Sequence, residues 1–210
     1  MKKLILMGAA VVAMLLGCGV EARAQFDLGR LLGSLVQQPE EQAATPDAYQ
    51  LLAEQAPARS ELLGTWQYLT ARVEHLGNNP LASAALSQSE ALISAELKNR
   101  GIVEGCCSLT LRRNGVAVVG TLDHVFEGRY SYDGDTAQTT VSMCSGSTEY
   151  SVDGYVKFIS GRLVVMIDIK DLLREVAKSD SSLETNETFI MLRSVLDSFG
   201  DTYLSVMFTR

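Results

Sequence analysis

From Gly105 to Asp168 apolar and polar residues alternate with a period of two, the mark of strands with one buried and one wet face. Cys107, Leu109 and Leu111 alternate with Ser108, Thr110 and Arg112. Val116 to Asp123 is the return strand, and Asn114-Gly115 between the two is a pair favoured in two-residue hairpin loops. Phe126, Gly128, Tyr130 and Tyr132 alternate with Glu127, Arg129, Ser131 and Asp133, and Asp133-Gly134 turns the chain into Ala137, Thr139, Val141 and Met143. After Ser145-Gly146-Ser147 the pattern resumes at Tyr150, Val152, Gly154, Val156 and Phe158, and Ser160-Gly161 leads into Leu163 to Asp168. Tight turns between these six strands predict antiparallel neighbours.

A further strand opens at Leu62-Leu63-Gly64-Thr65-Trp66-Gln67-Tyr68 and another closes the chain at Thr202 to Thr209. The total is eight, at which a barrel interior just holds side chains or one small ligand, and closure removes exposed edges. Helical spacing appears in three places. Asn79-Pro80 starts a segment running to Arg100, with Leu81, Ala85, Leu92 and Ala95 on one stripe and Gly101 as its stop. Lys170 to Lys178 and Thr185 to Phe199 carry similar stripes ahead of the last strand. The predicted fold is therefore mainly β: an eight-stranded antiparallel barrel with a helical insertion after strand 1 and two helices before the last strand. Gly120, Gly128 and Gly154, inside strands, predict bends or close backbone approaches.

The 210 residues suffice for one domain, placed here at 61–210. Residues 25–60, rich in Gln, Glu, Ala and Pro, read as a flexible linker with a marginal helix at Leu28 to Val36. Residues 1–24 read as an export signal: Lys2 and Lys3 precede an apolar run, Leu4 to Leu16, too short to span a bilayer. Ala22-Arg23-Ala24 has signal-peptidase spacing and is the favoured cleavage site; Leu15-Leu16-Gly17-Cys18 resembles a lipobox, the alternative, in which lipidated Cys18 tethers the protein to a membrane. Cleavage after Ala24 takes the net charge from −7 to −9. An acidic surface without a basic cluster argues against a nucleic-acid partner.

Little in the sequence points to catalysis. His75 and His124 have no motif context and read as ordinary surface or turn residues, and no G-x-S-x-G elbow is present. Cys106, Cys107 and Cys144 lack metal-ligand spacing, and allow either one bridge to Cys144 or none. Asp168 and Asp171, at a strand-to-helix junction, suit capping better than acid catalysis. No cofactor, metal or catalytic residue is expected. The alternating aromatics Phe126, Tyr130, Tyr132, Tyr150 and Phe158 either line an apolar cavity with hydroxyl handles or fill it.

Gly64-Thr65-Trp66 matches the G-x-W motif at the first strand of lipocalins. With the later Asn114-Gly115, Gly128-Arg129-Tyr130-Ser131-Tyr132-Asp133 and Asp168-Ile169-Lys170-Asp171-Leu172-Leu173, the stretch from Leu62 to Arg210 resembles a secreted bacterial lipocalin-like domain, domain of unknown function 4923. The resemblance implies a calycin-type barrel exported to the periplasm, outer membrane or cell surface of a Gram-negative bacterium, with no assigned activity. It also implies a barrel-closing motif in which Gly64 and Trp66 meet an arginine from the last strand, for which Arg210 is the candidate. Typical lipocalins place their helix after the last strand, whereas here the helices precede it. The leading expectation is non-enzymatic binding of a small apolar or amphipathic molecule. The alternative is a cell-envelope structural or protein- or glycan-interaction module with a filled barrel.

Overall fold

Strand register carries the inward side of the alternation round the whole sheet and back to its start. The structure, a computed structural model, describes residues 46–77, 98, 103–121, 125–145, 148–179, 184–185, 190, 193–194 and 200–210. Two helices, α1 (Pro46–Glu54) and α2 (Arg59–Leu62), precede β1 (Gly64–His75), β2 (Ser108–Leu111), β3 (Val116–Gly120), β4 (Val125–Tyr132), β5 (Gln138–Ser145), β6 (Thr148–Ile159) and β7 (Arg162–Asp168). Helix α3 (Ile169–Ser179) and β8 (Thr202–Thr209) complete the order. Every strand pairs antiparallel with its sequence neighbour, and β1 pairs with β8 from Gln67↔Thr209 to His75↔Thr202, which closes an eight-stranded barrel.

One inward row runs Tyr132, Thr139, Gly154, Ile167, Leu204, Val73 across six strands. Another runs Trp66, Leu109, Val119, Phe126. The register of β1 against β8 shifts between Tyr68 and Thr70. This irregularity keeps Trp66 and Tyr68 on the same inward side as Ala71 and Val73, which a regular strand would alternate away. Gly154 is obligatory: a Cβ there would meet the Met166 carbonyl oxygen at 1.8 Å.

The hairpin at Asn114-Gly115 differs from the expected two-residue loop. Gly115 has φ +76°, but Asn114 stays at negative φ; Gly115 N–H donates to the Arg112 carbonyl (3.1 Å) and Arg112 N–H to the Val116 carbonyl (2.9 Å). That is a three-residue loop with a left-handed glycine closing the turn. The two-residue loop is Ser160-Gly161, both at positive φ, between the paired Ile159 and Arg162.

The described part of the segment read as linker is folded. Leu52 of α1 is buried against the outer face of the barrel with Val164, Met166 and Tyr203, and the Tyr49 hydroxyl donates to Asp201 (2.7 Å). Beyond α1 the Gln55 carbonyl accepts from Phe158 N–H (2.9 Å), a donor on the stretch of β6 that outruns β5. Helix α3 begins where expected because Asp168 caps it, its Oδ1 accepting from the amides of Lys170 (2.7 Å) and Asp171 (3.2 Å). Of the other two predicted helices only Lys98, Thr185, Ile190, Arg193 and Ser194 are described, all helical, with Thr185 in 3-10 conformation. The rest of Pro80 to Arg100 and Thr185 to Phe199 lies outside the described residues, as do His124, Cys18 and both cleavage sites.

Candidate functional site

All five aromatics singled out from the sequence fall on inward register positions, but at different depths of the barrel. Three stand toward the end where the β2–β3, β4–β5 and β6–β7 hairpins gather with Gly64 and Arg210. There Trp66 is buried, its indole N–H donating to the Leu62 carbonyl (2.9 Å) and its ring meeting Phe158 edge-on at 5.5 Å. The Arg210 guanidinium lies over the Trp66 ring at 4.3 Å and donates to the Glu61 (2.7 Å) and Leu63 (3.2 Å) carbonyls. Gly64, at φ +124°, makes the turn from α2 into β1 in a conformation that L side chains rarely adopt. Tyr132 donates to the Pro57 carbonyl (2.7 Å) and Tyr130 to the Arg112 carbonyl (3.0 Å). Burial, with Asp133 and Glu61 nearby, pushes the Tyr132 hydroxyl up to about 12, so it remains a donor. These groups fill and close their end.

Phe126 and Tyr150 stand toward the opposite end. With Val119 and Met143 they face inward, yet they are outside the contiguous core of Leu62, Trp66, Tyr68, Leu163, Leu204 and their neighbours among the described residues. The wall is low here: β2 has 4 residues and β3 has 5, against 12 each in β1 and β6. Past Tyr68, β1 pairs only with β8 among the described strands. On the other side α3 lays Ile169, Leu172, Leu173 and Ala177 onto the core.

Two buried polar groups belong to elements that end or begin at this second end. His75, expected to be an ordinary surface residue, is half-buried at the last position of β1 because the barrel turns it inward opposite Thr202. Its Nδ1 is 3.5 Å from the Thr202 hydroxyl, and its Nε2 is buried without a partner among the described residues. Burial holds the imidazole below its usual value despite Asp201, so it is neutral at pH 7. Glu175 of α3 is buried, with Oε1 on Lys178 Nζ (2.6 Å) and Oε2 unpartnered among the described residues. In sequence it looked like one more polar helix residue, since its flanking position beside the apolar stripe gives no signal of burial.

Cys106, Cys107 and Cys144 are free thiols. Cys107 lies in the core, whereas Cys144 is exposed on β5, separated from β2 by β3 and β4, which places a bridge out of reach. Among the described residues no three His, Cys, Asp or Glu side chains converge as metal ligands.

A family profile described as a lipocalin-like domain (DUF4923) matches residues 40–210. The chain belongs to this lipocalin-like family. The match of the lipocalin-like domain begins upstream of α1, in keeping with the packing of that helix on the barrel. No protein of curated function matches. Among solved structures, a DUF4847 family protein from Bacteroides vulgatus aligns with 13% identity over 68% of this chain and 90% of its own, at a TM-score of 0.33, too low to carry an argument.

Proposed function

We propose that this lipocalin-like protein is a non-enzymatic, exported binding protein that takes a small apolar or amphipathic molecule into the second end of its barrel. One observation supports the reading: the inward surface is divided, with Tyr130, Tyr132, Phe158 and Trp66 joined to the contiguous core at the closed end, while Val119, Phe126, Met143 and Tyr150 face inward outside that core at the end with the low wall. An apolar lining with few polar handles is the usual form of a small-molecule site.

Titration of the mature protein with the neutral lipophilic fluorophore N-phenyl-1-naphthylamine tests it. A single saturable site is expected, and Met143→Trp, which fills the second end, should weaken it by at least about tenfold. The competing reading, a filled barrel that acts through its outer surface, predicts no saturable binding. That result would overturn the proposal.

A further inference from the structure

Resting on the reading above, the geometry points to a further property: the ligand's polar end carries a hydrogen-bond donor, a protonated amine foremost, and is received by Glu175 at the second end of the barrel. Buried acceptors normally have partners, and an unpaired carboxylate oxygen is among the most costly to leave unmet. Glu175 Oε2 is such an atom among the described residues: the residue is only 6% exposed, and Lys178 occupies the other oxygen, Oε1. The neighbouring lysine, its own side chain about half exposed (49%), pairs with Oε1 from the solvent side and leaves Oε2 without a donor among the described residues.

The placement follows from the chain. Asp168, the last residue of β7, caps α3, so the helix starts at the rim of the second end, and Ile169, Leu172, Leu173 and Ala177 rest on the barrel core. Glu175 flanks this stripe one turn beyond Leu172, and His75, whose buried Nε2 has no partner among the described residues, ends β1 at the same rim. An amphipathic molecule with its chain among Val119, Phe126, Met143 and Tyr150 thus has the Glu175 carboxylate to accept from its head, beside a His75 imidazole whose Nε2 donates or accepts according to tautomer. A carboxylate or phosphate head would meet a like charge there, on a protein whose net charge is already −7.

Displacement of bound N-phenyl-1-naphthylamine by three ligands of equal chain length tests this: dodecylamine, 1-dodecanol and dodecanoate. The amine is expected to displace the probe at a concentration at least about tenfold lower than dodecanoate. Glu175→Gln should lower the amine's affinity about tenfold and the alcohol's by clearly less, since the amine loses its ion pair whereas the alcohol keeps an amide oxygen as acceptor. Lys178→Met, at a half-exposed position, should do the reverse by freeing Glu175 for the amine, and it serves where Glu175→Gln fails to fold. Probe binding with dodecanoate equal to or better than the amine, or an amine preference unmoved by both variants, would overturn the inference and leave the binding-protein reading standing. Absence of probe binding would take down both.

Discussion

At Gly154 the inward face has no room for a side chain. Ala in its place would put Cβ 1.8 Å from the Met166 carbonyl oxygen and 2.9 Å from its carbon, an overlap that only backbone movement relieves. Gly154→Ala is therefore expected to cost about 3 kcal/mol or more in urea unfolding, while Gly134→Ala, nearest to a Tyr132 ring carbon at 3.8 Å, should be close to neutral. Equal stability of the two variants would contradict this geometry. A second local device lies on the outer face, where Lys157 of β6 reaches across β7 and β8 to Glu74 of β1 (2.8 Å), which also holds Arg72 (2.6 Å). Burial pushes the Glu74 carboxyl up, but the Lys157 ammonium and the Arg72 guanidinium outweigh it and hold the group below its ordinary 4.5. A depressed carboxylate contributes stability that is full above its unfolded value and lost as pH falls through the folded one. The stability curve should thus decline below about pH 4.5, and Glu74→Gln should flatten that limb. At pH 7 the same variant leaves Lys157 buried without its counter-charge, for an expected loss of about 3 kcal/mol, most of which Glu74→Leu with Lys157→Met should restore. Denaturant titrations of the three proteins across pH check both expectations.

Helix α1 shows why some elements were legible in the sequence and others were not. The strands announce themselves because they contribute inward apolar residues with a period of two, interrupted in β1 after Tyr68, so the eight strands and their order could be read directly. Helix α1 has nine residues and anchors through Tyr49 and Leu52, too few positions to form a visible stripe amid Gln, Glu and Ala. Its partners, Val164, Met166 and Tyr203, sit on the outward face of β7 and β8, where periodicity predicts polar residues. Tyr203 also meets Tyr155 edge-on at 5.6 Å, and Tyr155 meets Tyr49 at 5.7 Å, so an outer aromatic cluster replaces solvent beneath the helix. The same limit applied to the candidate site: alternation assigns Phe126, Tyr130, Tyr132, Tyr150 and Phe158 to one face but not to one end, since depth depends on strand length and on the irregularity after Tyr68. If α1 is part of the domain, Leu52→Ala should cost about 2–4 kcal/mol and Tyr49→Phe about 1 kcal/mol through the lost bond to Asp201. A true linker would lose nothing, and thermal unfolding separates the two.

For the molecule as a whole, closure leaves two unlike ends, one bonded shut and the other the end at which binding is proposed. The closed end joins residues far apart in sequence: Arg210 at the C-terminus ties Glu61 and Leu63 ahead of β1 while covering Trp66, and Pro57 is held by Tyr132. Arg210→Ala removes two hydrogen bonds and the cation–π contact, an expected loss of about 1–3 kcal/mol. Because Trp66 is the only tryptophan, its quenching by acrylamide reports the opening directly: low in the parent protein and raised several-fold in the variant. The probe site at the other end should be untouched, so Arg210→Ala should lower the melting temperature with N-phenyl-1-naphthylamine affinity unchanged, and Met143→Trp should leave the melting temperature within a few degrees and weaken the probe. A drop in affinity in Arg210→Ala matching that in Met143→Trp would mean that the two ends are not independent, and that the ligand reaches down to the Trp66 layer instead of resting above it.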